Sequence, residues 1–131
     1  MTSTERRAEL RNVLEQLVNL LIPEEQPVFE PEKDVFKDIL REGARYFGIT
    51  EEVLISDERH PNTISARHVV FYLIREELGW SFPEIGNRCG YDHTTILAAY
   101  RKIENIVKDP SDVRYKGTMK AVETIKERVG S

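Results

Sequence analysis

From Ser81 to Leu97 the chain reads Ser-Phe-Pro-Glu-Ile-Gly-Asn-Arg-Cys-Gly-Tyr-Asp-His-Thr-Thr-Ile-Leu, and few arrangements satisfy every residue in it. Ser81 and Glu84 stand three apart as a capping box, with Pro83 in the first turn, where a missing amide costs nothing. The helix they open is brief, because Gly90 supplies the positive φ that a tight turn demands. Asp92 then caps a second helix running from His93 to about Lys108. Gly86 is small where the two helices must approach closely. Ile85, Ile96, Leu97 and Ile103 can hold them together. His93, Thr94 and Thr95 are left exposed at the start of the second helix.

Two short helices across a tight turn, the second opening on small polar side chains, form a helix-turn-helix pattern. In that arrangement the start of the second helix reaches base edges in the major groove. Threonine brings a hydroxyl for phosphates or bases and a methyl for thymine's methyl group. The amino end of the helix also favours a phosphate.

The remainder is helical in pattern, with no strand periodicity, repeat or low-complexity tract. Leu10, Val13, Leu14, Leu17, Val18 and Leu21 form one apolar stripe along an amphipathic helix over residues 4–22. This helix has no partner within its own segment, so it packs back on the domain, dimerises or binds another protein. Pro23, Pro27 and Pro31 remove helical amides and make residues 23–31 an extended linker. A second helix is expected from about Lys33 to Phe47, with Gly48 as its stop. Thr50 caps a single turn over Glu51–Leu54. Residues 56–64 read as a polar loop broken by Pro61. Ser65 is expected to cap the next helix, which reaches Leu78 with Val69, Val70, Leu73 and Ile74 inside and Gly79 at its end. Asp109-Pro110-Ser111 breaks the chain before a last helix over Asp112–Val129. The organisation expected is therefore 1–31, an amphipathic helix with a Pro-rich linker, and 32–131, the helix-turn-helix domain.

Charge is the objection to a nucleic-acid partner, since the chain of 131 residues carries −4 where such domains are usually basic. The acidity is uneven. Residues 1–56 hold 12 acids and 7 bases, residues 57–108 hold 7 of each, and residues 109–131 hold 4 acids and 5 bases. The reading unit is thus neutral, with weaker phosphate attraction than a basic domain. No apolar run approaches the ~20 residues of a membrane span, and no secretory signal is visible, so no membrane partner is expected. Cys89 is the single cysteine; it excludes an internal disulfide, suits a reducing cytoplasm and reads as a small core residue. His60, His68, Cys89 and His93 lack metal-ligand spacing. With no metal, no cofactor and no nucleophile–base–orienter constellation, an enzyme is not expected.

At these residues the sequence resembles the C-terminal DNA-binding domain (domain IV) of the bacterial chromosomal replication initiator, DnaA. The family signature is an Ile-Gly pair, a short turn, Asp-His-Thr-Thr-Val-Leu and a closing Arg-Lys-Ile. Here these stand as Ile85-Gly86, Asp92-His93-Thr94-Thr95-Ile96-Leu97 and Arg101-Lys102-Ile103, preceded by Phe82-Pro83-Glu84 and by a helix with Arg67, Tyr72-Leu73 and Arg75-Glu76. The resemblance covers roughly Val35–Val129. It implies an all-α helix-turn-helix bundle of the DnaA C-terminal or Trp-repressor-like kind, here with an additional N-terminal amphipathic helix. It also implies base reading by Asp92, His93, Thr94 and Thr95, a minor-groove arginine at Arg59 and a phosphate-holding arginine at Arg67. Arg101 and Lys102 on the second helix are further phosphate candidates. The partner implied is double-stranded DNA with initiator-box-like sites, in a cytoplasmic, nucleoid-associated protein of bacterial or phage origin.

The departures from the family point to altered sequence preference and weaker binding. Tyr91 stands where an arginine or lysine is usual, and it either packs on the turn or touches a base. Cys89 stands where a phenylalanine or leucine is usual. Asp57 and Glu58 dilute the charge of Arg59. No Gly-x-x-x-x-Gly-Lys-Ser/Thr loop is present, so the family's ATPase module is not part of this sequence. An acidic N-terminal half with an unpartnered Leu10–Leu21 helix leaves a second reading open. That reading is a protein-interaction module that binds a replication or transcription protein, with DNA binding weakened or lost; the same helix could separately form a homodimer, which would favour paired half-sites.

Overall fold

The computed structural model describes residues 9–14, 16–17 and 34–130. The chain divides into two compact units, Met1–Lys33 and Asp34–Ser131. In the first, residues 9–14 and 16–17 are helical (α1). Leu10, Val13, Leu14 and Leu17, four members of the apolar stripe, are all exposed. The expectations for Val18, Leu21 and the linker at 23–31 lie outside the described residues.

The second unit is all-helical among the described residues: α2 (Val35–Phe47), α3 (Glu51–Leu54), α4 (Pro61–Leu78), α5 (Phe82–Cys89), α6 (His93–Val107) and α7 (Tyr115–Gly130). Most boundaries have a local cause. Asp34 caps α2 by accepting from the Lys37 amide at 3.2 Å, and Thr50 caps α3 through the Val53 amide at 3.1 Å. Gly48, Gly79 and Gly90 end α2, α4 and α5 in the left-handed region.

Two boundaries differ from the sequence expectation. α4 begins at Pro61, not at Ser65, because His60 is its cap: Nδ1 of His60 accepts from the Asn62 amide at 3.2 Å, and Pro61 takes the first helical position. α7 begins at Tyr115 rather than Asp112. The Asp112 carboxylate instead accepts from the Arg114 amide at 2.8 Å and from its guanidinium at 2.8 and 3.0 Å, and these local bonds compete with helix formation.

α4 is the central element, packed against α2, α3, α5, α6 and α7. Its buried side chains Ala66, Val69, Val70, Phe71, Leu73 and Ile74 join Ile39 and Ala44 of α2, Leu54 of α3, Ile85 and Cys89 of α5, Ile96, Ala99, Ile103 and Ile106 of α6, and Ala121 and Ile125 of α7 in one core. Cys89 is 5% exposed, and burial pushes its thiol up to about 11, so it behaves as a small hydrophobe. At the edge of α5, the Arg88 guanidinium lies 5.1 Å from the Trp80 ring and 5.6 Å from that of Phe36. Phe36 and Trp80 are themselves in contact, with ring centroids 5.1 Å apart.

Candidate nucleic-acid interface

Ser81 opens α5 by accepting from the Glu84 amide at 3.2 Å, as the capping box requires. At the other end the amides of Gly90 and Tyr91 both reach the Gly86 carbonyl, at 2.8 and 2.9 Å. Gly90 has φ 83°. Gly86 is needed for a different reason. A Cβ there would run into the Tyr91 carbonyl oxygen, a backbone atom that cannot swing aside. The turn is therefore set by two glycines, one for conformation and one for space.

Beyond the turn, Asp92 is extended (φ −65°, ψ 144°) and its carboxylate accepts from the Thr94 amide at 3.1 Å, which starts α6. Hydrogen bonds from Thr94 hold the Asp92 carboxyl below the usual carboxylate range. His93 Nδ1 lies 3.1 Å from the same carboxylate. Asp92, His93, Thr94 and Thr95 are four consecutive exposed residues, followed at once by Ile96, which is fully buried. Ile85 of α5 is also fully buried. The two isoleucines anchor the pair of helices, burial of each contributing about 1.5–3 kcal/mol. The polar segment between them faces outward on a rigid mount.

The other expected residues fall into two groups. Arg101 and Lys102 are exposed on α6. Arg101 lies a helical turn or two beyond Thr94 on the same outward face. Lys102 lies on the flank toward α4, beside His68, at the rim of a cavity of about 390 Å³ between α4, α6 and α7. Burial first, then the charges of Lys102 and Arg67, lower the His68 pKa. Arg59 is exposed in the loop before α4 and makes no ion pair among the described residues.

Arg67 and Tyr91 are placed otherwise. Arg67 was expected to hold phosphate, yet it is 8% exposed. Its Nε donates to the Leu54 carbonyl at 2.7 Å, and a terminal nitrogen reaches the Val53 carbonyl and the Ser56 hydroxyl, both at 3.4 Å. The guanidinium is engaged inside the protein, at the carbonyl end of α3, where helix geometry leaves acceptors unsatisfied. Tyr91 packs on the turn and the core. Its ring meets Phe71 edge-on at 5.4 Å, the Arg67 guanidinium lies 5.8 Å from its centroid, and its hydroxyl donates to the Ser56 carbonyl. Burial raises the Tyr91 pKa above its ordinary value.

Sequence reasoning passed over Ser56 and His60. Pro61, read as a loop breaker, was the signal that could have exposed the helix start and hence the His60 cap. Ser56 also bonds its neighbours Val53 and Glu58, but nothing local marks its contacts with Arg67 and Tyr91, which lie 11 and 35 residues away.

A family model for the bacterial DnaA protein helix-turn-helix matches residues 36–103, just over half of the chain, covering α5, the turn and α6 as far as Ile103. The chain belongs to this DnaA helix-turn-helix family. The chromosomal replication initiator protein DnaA of Streptococcus pyogenes serotype M49 is 33% identical over 94 residues, which is 71% of this chain and 20% of that protein. The DnaA of Rhodopseudomonas palustris strain BisB5 is 42% identical over 79 residues, 60% of this chain and 17% of the relative. The chain thus spans about a fifth of the length of the curated DnaA relatives it matches. The shared part is the helix-turn-helix region and not the ATPase module. Among the described residues no helix is long and apolar enough to cross a membrane, and no cluster of three His, Cys, Asp or Glu side chains could hold a metal ion.

Proposed function

We propose that this protein binds double-stranded DNA in a sequence-specific way and regulates transcription or replication, working in the cytoplasm on the nucleoid and without a cofactor. Membership of the DnaA helix-turn-helix family supports DNA binding. The observation that carries the finer reading is the start of α6, where Asp92 caps the helix and Asp92, His93, Thr94 and Thr95 face outward between the buried Ile85 and Ile96. Such a segment enters the major groove, with the threonine hydroxyls and methyls and the imidazole against base edges. Arg59 reaches the adjacent minor groove, and Arg101 and Lys102 meet phosphates. Arg67 and Tyr91 act through position rather than by contact.

The charge balance sets the strength of this binding. Arg101 and Lys102 are only two phosphate ligands, so log affinity falls against log salt with a slope of only about −2. Sites resembling the initiator's boxes are the expected targets, with a preference altered at the base that an arginine at position 91 would have read.

The test is fluorescence anisotropy of the protein on an initiator-box duplex and on a scrambled duplex, across a salt series. The box is expected to bind at least tenfold more tightly than the scrambled duplex, and Thr94→Ala with Thr95→Ala to erase that preference while the helical signal stays intact. Unchanged box preference in the double variant removes the start of α6 from the reading.

One observation favours a second reading, the exposed stripe of Leu10, Val13, Leu14 and Leu17 on α1. Such a stripe suits a homodimer or a protein partner in replication or transcription. Weak, salt-sensitive binding to both duplexes, together with self-association in light scattering, would favour it.

A further inference from the structure

We propose that Tyr91 clamps the loop before α4 to the turn before α6, so that Arg59 and the start of α6 meet a duplex as one rigid surface. This rests on the DNA-reading function proposed above and adds to it a positioning residue that sets specificity.

The clamp is built from both sides. The Tyr91 backbone is held at the turn: its amide is bonded to the Gly86 carbonyl at 2.9 Å, and its own carbonyl lies against Gly86, where no Cβ would fit. From that fixed point the side chain crosses to Phe71 in the core, and its hydroxyl donates to the Ser56 carbonyl. Arg67 meets the same target from α4, bonding the carbonyls of Leu54 and Val53 and the hydroxyl of Ser56. α3 has four residues, far too few to hold itself together, so the position of Ser56 depends on these outside bonds. Ser56 in turn shapes the first residues of the loop, because its hydroxyl donates to the Val53 carbonyl at 2.6 Å and accepts from the Glu58 amide at 3.2 Å.

At its other end the loop is equally held. His60 caps α4, and the Asn62 side chain donates to the Phe47 carbonyl at 2.7 Å. Arg59 therefore sits on a short bridge between two fixed points, one of them tied to the turn that launches α6. The neighbours of Arg59 give this rigidity a purpose. Asp57 and Glu58 are exposed beside it, and a loop free to rotate would offer carboxylates to a phosphate backbone as readily as the guanidinium. Where the family is expected to carry a basic residue, the tyrosine here bonds the Ser56 carbonyl and holds the arginine loop in place.

Tyr91→Phe is the variant that tests this, since it keeps the ring on Phe71 and removes only the hydroxyl. Two measurements are made on the full chain. The first needs no DNA. Amide hydrogen exchange at Glu58, whose amide donates to the Ser56 hydroxyl, is expected to speed up at least fivefold in Tyr91→Phe, while the amides of α6 keep their protection. Unchanged exchange in the loop overturns the clamp. The second is box-duplex affinity of the wild type, Arg59→Ala, Tyr91→Phe and the double variant. Arg59→Ala is expected to weaken binding roughly tenfold in the wild-type background and less than roughly twofold once Tyr91 is phenylalanine. An equal loss in both backgrounds overturns the proposal while leaving Arg59 as a DNA contact. An Arg59→Ala variant with wild-type affinity instead overturns the minor-groove reading of Arg59 and, with it, the purpose of the clamp. The exchange result still stands or falls separately.

Discussion

α1 and α6 carry the same kind of apolar stripe and meet opposite fates. In α6, Ile96, Ala99, Ile103 and Ile106 recur at three- and four-residue spacing and are all at most 4% exposed. In α1, Leu10, Val13, Leu14 and Leu17 follow the same spacing and are between 48% and 62% exposed. The period of a stripe says which side of a helix is apolar. It says nothing about whether another surface is there to receive it. α6 has α4, α5 and α7 against it, brought there by the glycine turn and the breaks at both of its ends. The buried stripe of α6 mounts the polar residues at its start, whereas the four described residues of the α1 stripe are exposed.

Three substitutions sharpen that contrast, and urea unfolding of the full chain reads all of them. Ile96→Ala empties a fully buried site at the first core position of α6 and is expected to destabilise by about 2–5 kcal/mol. A loss under about 1 kcal/mol would mean that the mount is softer than its burial implies. Gly86→Ala forces a methyl against the Tyr91 carbonyl and is expected to cost about 1–3 kcal/mol, with box affinity falling as the turn shifts. Retention of both stability and affinity would break the claim that the turn needs a glycine for space. Leu14→Ala, at a position 60% exposed, is expected to change stability by no more than about 0.5 kcal/mol. A larger, concentration-dependent loss would show that the α1 stripe has a partner after all and would erase the contrast with α6.

Much of the fold was legible because its signals are local. Thr50, Ser81 and Asp92 cap helices within three residues of themselves, and Gly48, Gly79 and Gly90 end them without reference to anything distant. Where local signals compete, the reading slipped. Pro61 serves a helix start as well as it serves a loop, and Asp112 bonds Arg114 rather than opening α7. The start of α6 was legible for the same local reason, as Asp92, His93, Thr94 and Thr95 lie side by side between apolar anchors.

Two arginines show where that legibility ends. Arg59 and Arg67 stand eight residues apart, and both were expected to meet nucleic acid. One is exposed and the other is buried against the carbonyl end of α3. Tyr91 is a similar case, since a turn residue in sequence reaches Phe71 and Ser56 in space. The sequence by itself determined the helices, the turn and the polar face that opens α6, because capping, periodicity and glycine conformation act over a few residues. Only the tertiary structure decided where Arg67 and Tyr91 sit, because the carbonyls of Leu54 and Ser56 that hold them lie 13 and 35 residues away, and a carbonyl leaves no mark in the order of side chains.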